Sequence, residues 1–304
     1  MNTKSRRFKA VDILLLVGTI LPLLGAIVLK VLTTPASDGI NITGAQIYFT
    51  IDMPLQPLYV TEAQVVSAAV VLTILFLCLY LTHGITVVPN SKRQLVAEWL
   101  VEKCQGMVDT NMGEYFKGFG PFVGGVMILS ALSSLSSLLG LFPPTSDINI
   151  VAGWAILVFG LITYYKLKGG LWLYVKGFAE PVPFLLPMNI ISEAATPVSM
   201  SFRHYGNILS GSIISALLAA AFAGLSSMLL GSFGETFPVL RIGIPAVLSL
   251  YFDIFSGGLQ AFIFATLTMM YVAGGFPQSE FEARKAKREA KKKAKLEAKS
   301  AKAA

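Results

Sequence analysis

The apolar stretch PMNIISEAATPVSMSFRHYGNILSGSIISALLAAAFAGLSSMLL, residues 187–230, contains a single arginine, Arg203. A guanidinium stays charged at any biological pH. Moving one into hydrocarbon costs between about 3 and about 15 kcal/mol, depending on how far the bilayer deforms around it. A cation at such a place points to work on an ion or a charged partner; the alternative is an ion pair closed inside a helix bundle. At helical spacing, Asn207 and either Ser210 or Gly211 share the face of Arg203, with Ser212 beside it. A second apolar stretch, Val239 to Val272, carries Asp253 and Gln260 on one face with Gly257 and Phe264, and the small Gly257 and Gly258 permit close contact. Glu193 precedes Arg203 in the first stretch. With these two segments antiparallel, Glu193 lies toward one aqueous side and Ser212 and Asp253 toward the other. Arg203 and Gln260 fall near mid-depth. An acid on each side of a fixed positive charge is what ion passage through an intermediate carrier needs.

Plainer roles exist for most of these groups. Glu193 suits the first turn of a helix, where the dipole favours an acid. Asn207 and Gln260 could be interhelical hydrogen-bond glue, worth about 1 kcal/mol each. Ser212 could pack or bond back to its own helix. His204 points about 100° away from Arg203 and reads as structural. Tyr251, Phe252 and Phe262 read as packing or lipid contacts. Asp253, an ionisable group in an apolar run, is functional by default.

The elements that must hold these residues are membrane helices. The chain has 304 residues, 54% hydrophobic and only 13% charged, with a mean hydropathy of +0.68. Soluble domains carry about 25% charged residues. Cys78 and Cys104 read as free thiols, and His83 and His204 are too few and too far apart for a metal site. The net charge of +7 comes largely from the end of the chain and bears on orientation, not nucleic acid. No HExxH, nucleophile elbow, P-loop or paired-carboxylate motif supports an enzyme acting on its own. No cofactor or metal is implied.

Lys4, Arg6, Arg7 and Lys9 precede an apolar run from Val11 to Leu32. A signal peptide has a shorter core of about 7–15 apolar residues, so this run is expected to be a first span. Residues 33–62 form a polar, turn-rich loop without Lys or Arg, and a second span runs from Ala63 to about Val88. In SKRQLVAEWLVEKCQGMVDTNMGEYF the apolar residues gather on one side among charges, as expected of an interfacial helix. Phe119 to Phe142 is the third span, with a core of small residues in SALSSLSSLLG; Ile150 to Leu167 is the fourth. The amphipathic linker LWLYVKGFAEPVPFLLP leads into the Arg203 segment. After residue 278 the tail is Ala, Lys, Arg and Glu.

Basic residues gather in cytoplasmic loops. With both termini inside, positive charge falls at residues 1–10, Lys92 to Lys117, Lys166 to Lys176 and the tail, leaving loops 33–62, 143–149 and 231–238 outside without Lys or Arg. Lys30 and Arg241 sit near outer span ends, where they are expected to snorkel. Six crossings result. An unbroken helix from Pro187 to Leu230 would be about 65 Å long, against a hydrocarbon layer of about 30 Å. The expectation is a helix that either breaks or slants steeply, and the last stretch has the same excess. The fold class is therefore an all-α integral membrane protein with about six embedded helices, an interfacial amphipathic helix, and a last pair that is long and steeply tilted.

The motif SFRHYGNILSG followed by SGGLQAFIFATLTMMYV resembles the bacterial subunit a of the F-type ATP synthase. The likeness extends upstream to SKRQLVAEWLVEKCQGMV, LFPPTSD and GFAEPVPFLLPMNIISEAATPVS, and covers roughly residues 45–275. It implies the stator half of a membrane motor, packed against the ring of c subunits by two long tilted helices. The peripheral-stalk b subunits and, indirectly, the ATPase head would be further partners, with membrane lipid around it. The family's essential arginine matches Arg203, its asparagine Asn207, its last-helix glutamine Gln260 and its cytoplasmic-side glutamate Glu193. Relatives place a Glu and a His in the outer half-channel; those positions here are Ser212 and Asp253, so the acid has moved to the last helix. The coupling ion would be H+ or Na+. A multi-pass protein of the bacterial cytoplasmic membrane with both termini cytoplasmic is implied. The expected organisation is a basic segment and extra span at 1–32, an external loop at 33–62, the membrane domain at 63–277 and a Lys/Ala-rich cytoplasmic tail at 278–304. The rival reading is a secondary transporter, which would show internal repeats and broken helices in matching halves; neither is visible.

Overall fold

Apolar runs of this length can satisfy their backbone polar groups inside lipid only as helices, and six helices among the described residues are long and apolar enough to cross a bilayer. The computed structural model describes residues 3–34, 44–54, 56–89, 91–180, 182–231, 240, 243–279, 281–283 and 285–287. Arg241, most of the loops 33–43 and 231–238, and the tail beyond 287 lie outside the described residues.

Helix α1 (Thr3–Thr33) and α2 (Glu62–Thr82) form the first two spans, and α3 (Lys92–Met112) is the charged amphipathic helix. Ser91 caps α3, its hydroxyl accepting from the Gln94 amide at 3.2 Å. Trp99 and Val101 remain exposed on α3, as an interfacial helix requires. The third span is α4 (Gly120–Leu135), flanked by 3-10 turns at Glu114–Phe119 and Ser136–Leu139. Helices α5 (Ile148–Leu167) and α6 (Leu171–Ala179) follow.

The Arg203 segment does not break. Helix α7 runs unbroken from Leu186 to Leu230, 45 residues, passing through Pro197. Hydroxyls beside the proline supply extra bonds, Thr196 to the Ser192 carbonyl at 3.3 Å and Ser201 to the Pro197 carbonyl at 2.7 Å. The last stretch is α8 (Ile244–Tyr251), a π turn (Phe252–Ser256) and α9 (Gly257–Gly274). That π turn was not foreseen by a regular helical reading.

Nor was the hairpin in the loop 33–62. Strand β1 (Ile47–Ile51) pairs antiparallel with β2 (Leu58–Thr61), Ile51 opposite Leu58, with a register shift between Ile47 and Phe49. The runs IYFTI and LYVT are β-branched and aromatic, bounded by turn residues, which is the sequence signature of a hairpin.

The main core joins α3, α4, α5, α7 and α9 through Val108, Val123, Val158, Met200, Phe264 and Met269. Small polar residues let these helices close up. Ser130, Ser133 and Ser134 are buried, and Ser134 shares a hydrogen bond of 3.2 Å with Thr145. Gly257 faces Ser134 so tightly that a Cβ there would lie 2.8 Å from the serine Cβ.

Helix α1 packs on α2 through Ala26, Val66, Ala69 and Val70, with the Phe76 ring over Gly18. Charged groups fasten both ends. Near its start, Asp12 accepts from Arg93 at 2.7 Å and pairs with the His83 ring at 2.9 Å. Arg93 also donates to the His83 carbonyl and lies over the Tyr80 ring. At the other end, Lys30 pairs with the buried Glu62 at 2.8 Å, and Glu62 accepts from the Phe142 amide at 2.8 Å. Lys30 was expected to reach outward to water; instead the carboxylate at the start of α2 holds it.

Replacing Gly257 by valine should overpack the α4–α9 contact, at a cost of about 1–3 kcal/mol. A lowered thermal midpoint of the detergent-solubilised protein is the expected reading, with at least partial recovery when Ser134→Gly is added.

Candidate functional site

One long helix carries four of the residues singled out by spacing. On α7, Arg203 and Asn207 are one turn apart on the same face. Asn207 donates through Nδ2 to Oε1 of Gln260 on α9 at 3.4 Å, a long bond to a side chain only 3% exposed. Arg203 lies exposed at the surface of the bundle beside exposed Phe202. Among the described residues it makes no ion pair or hydrogen bond. The next residue, His204, is fully buried, its Nε2 3.2 Å from the Ser130 hydroxyl and its ring edge-on to Trp154 and Phe264. His204 is a packing residue, and it fixes the rotation of α7 so that Arg203 points out.

Ser212 is exposed and bonds back to the Leu209 carbonyl at 2.8 Å. Asp253 is half-buried within the π turn. One extra residue in such a turn displaces the faces on either side of it, and π turns recur at functional positions. Phe252 packs over Gly211, where a Cβ would sit 3.6 Å from the ring.

Glu193 lines a cavity of about 500 Å3 with Lys166, Tyr174, Asn189, Ser192 and Thr196. Both of its oxygens are engaged. Lys166 Nζ lies 2.8 Å from Oε2, and the Tyr174 hydroxyl donates to Oε1 at 3.2 Å. Burial raises the Tyr174 pKa above the ordinary tyrosine value, with the negative charge of Glu193 adding to it, so the phenol remains a donor.

A second cavity, of about 640 Å3, lies beneath the β-hairpin and is lined by Gln64, Ser146, Asp147, Asn149 and Tyr205 among others. Asp147 caps α5, accepting from the Asn149 amide at 2.9 Å, and Lys166 stands in the last turn of the same helix. Twenty residues of helix span about 30 Å, the thickness of the hydrocarbon layer. The two cavities therefore open at opposite ends of a bilayer-length helix. On α7 they touch Glu193 and Tyr205, on either side of Arg203.

Fold and cavities together define a multi-pass membrane protein with polar chambers inside its bundle. A family model described as ATP synthase A chain matches residues 64–273. ATP synthase subunit a of Bacillus subtilis is 31% identical over 242 residues, covering 74% of this chain and 96% of the relative. That of Priestia megaterium is 33% identical over 222 residues, 68% of this chain and 87% of the relative. A subunit a of Propionigenium modestum described as sodium ion specific is 30% identical over 217 residues, 66% of this chain and 68% of the relative. The chain belongs to the ATP synthase A chain family. It is a multi-pass subunit of the ion-translocating membrane part of a bacterial F-type complex, not an enzyme by itself. The matched region begins at Gln64, so α1 precedes it.

Lys166, Tyr174, Asp147 and Tyr205 were not singled out from the sequence. In the sequence Lys166 reads only as loop charge, and Asp147 only as the end of the motif LFPPTSD. A lysine in the last turn of a span, followed by an amphipathic linker, was the readable hint.

A double-mutant cycle of Asn207→Leu and Gln260→Leu should return a coupling of about 0.6 kcal/mol, typical of hydrogen bonds between membrane helices. Thermal unfolding of the solubilised complex measures it; additivity would mean the two amides merely lie side by side.

Proposed function

We propose that this chain provides two half-channels to a rotating ring of c subunits, with Arg203 as the charge between them. The observation that carries this reading is the pair of cavities at opposite ends of α5, which meet α7 on either side of an exposed guanidinium without a partner among the described residues. An ion, H+ or Na+, enters from one side, loads a ring carboxylate, travels round, and leaves by the other. As an ionised ring carboxylate passes, Arg203 attracts it with about 4 kcal/mol at 4 Å and an effective dielectric near 20. That is enough to favour the empty carboxylate yet weak enough to let it move on. The same charge stops ions crossing directly.

Glu193 belongs to the cytoplasmic half-channel in this assignment. Asp253, with Ser212 near it in depth, and the cavity at Asp147 and Tyr205 serve the outer one. Asn207 and Gln260 hold the helix carrying Arg203 against α9. Residues 63–277 form the membrane body, both termini are cytoplasmic, and the tail 278–304 meets anionic lipid or solvent. At about 67 Å, a 45-residue α7 cannot stand upright in the bilayer, so it lies steeply inclined and offers a long face to the ring. The b subunits and, through them, the ATPase head are the remaining partners.

Arg203→Ala in the intact complex should abolish ion-driven ATP synthesis in inverted vesicles, and coupled synthesis at the normal rate would overturn the assignment. Asp253→Asn should slow transport several-fold while leaving assembly intact; an unchanged rate would make Asp253 structural.

A further inference from the structure

The carboxylate in the cytoplasmic cavity already holds a cation belonging to the protein. Lys166 Nζ lies 2.8 Å from Glu193 Oε2, with side-chain exposures of 30% and 14%, so the pair is partly shielded from water. The lysine is also built into place. A Cβ on Gly275 would fall 3.1 Å from both Cγ and Cε of Lys166, so the absence of a side chain at residue 275 makes the groove in which the aliphatic stem lies. The second carboxylate oxygen receives the Tyr174 hydroxyl at 3.2 Å.

We propose that Lys166 is a selectivity residue of the access path: its ammonium occupies, on Glu193, the place a metal cation would take, so that the path carries protons and refuses sodium. The inference rests on the half-channel reading above and adds the identity of the ion. A metal cation must gather several oxygen ligands at once. The side-chain oxygens among the residues lining this cavity are those of Tyr174, Asn189, Ser192, Glu193, Thr196 and Tyr271, and the one full negative charge among these six is neutralised by Lys166. A proton moves by exchange between water and hydroxyls and needs no such shell. The ammonium is neither consumed nor displaced in the process, and its fixed charge repels an incoming sodium ion.

The test uses the intact ATP synthase in vesicles with ATPase heads outward, so that the cytoplasmic side faces the medium. ATP-driven acidification is followed by quenching of a ΔpH-sensitive dye while NaCl replaces choline chloride at constant ionic strength. The wild-type rate should not respond to sodium. Lys166→Met and Lys166→Gln, two variants in case one fails to assemble, should both become sodium-inhibited. Their half-inhibiting concentration should lie at least about fivefold below the highest sodium concentration that leaves the wild-type rate unchanged, the scale of a partly exposed charge pair. Lys166→Arg, which keeps the charge, should stay insensitive. Sodium insensitivity in both neutral variants, or ATP-driven uptake of 22Na+ by the wild type, would overturn the proposal. Glu193→Gln is measured alongside. If it pumps at the wild-type rate, the access path itself is misassigned; if it slows pumping while the Lys166 variants remain insensitive, the path stands and only the selectivity role falls.

Discussion

A guanidinium on the outer surface of an apolar helix is the constraint to which the rest of this structure answers. It cannot shed its charge, and among the described residues nothing in its own chain neutralises it. The bundle behind it is arranged to keep that side chain outward. His204, the next residue, is clamped in the core by Ser130, Trp154 and Phe264, and Asn207, one turn on, is tied to α9 through Gln260. Rolling α7 about its axis would bury the arginine and expel the histidine. Both moves are unfavourable, so the rotation is fixed from two directions.

The two cavities differ in their electrostatics. The one at Glu193 carries a compensated carboxylate, a lysine and a phenol held in its donor form. The one beneath the hairpin holds Asp147, amides and hydroxyls, and among the described residues its lining contains no lysine or arginine. The asymmetry is one of charge: a lysine stands against the carboxylate in the first lining, and Asp147 stands without one among the described residues of the second. Helix α5 links the two, since its cap and its last turn contribute one charged residue to each.

Much of this was legible in the order of residues. The six spans, the interfacial α3 and the serine-rich contact of α4 follow from apolar run length and composition, because lipid leaves the backbone few options. Arg203, Asn207 and Gln260 stood out for the same reason: polar groups are conspicuous in apolar runs. Less visible were groups whose roles depend on distant partners. Glu62 and Lys30 are far apart in sequence, and either alone reads as an interfacial charge. Lys166 and Tyr174 sit in a region whose polarity looks ordinary. The π turn at Phe252–Ser256 escaped because hydrophobic periodicity does not reveal one extra residue within a helix. It also means that the shared face assigned to Asp253 and Gln260 by regular spacing is offset by about a third of a turn.

Helix α1 shows how a segment outside the family's common region can become inseparable from it. Asp12 answers Arg93 and His83, and Lys30 answers Glu62; three of these five ionisable groups lie outside α1. A protein shortened to begin at α2 would retain an arginine and a nearly inaccessible glutamate, each stripped of its counterion, and stranding one member of a shielded pair is far more harmful than never having had the pair. Helix α1 is thus tied into the bundle by charge as well as by packing, and a minimal version of this subunit would need Glu62 and Arg93 replaced along with the deletion.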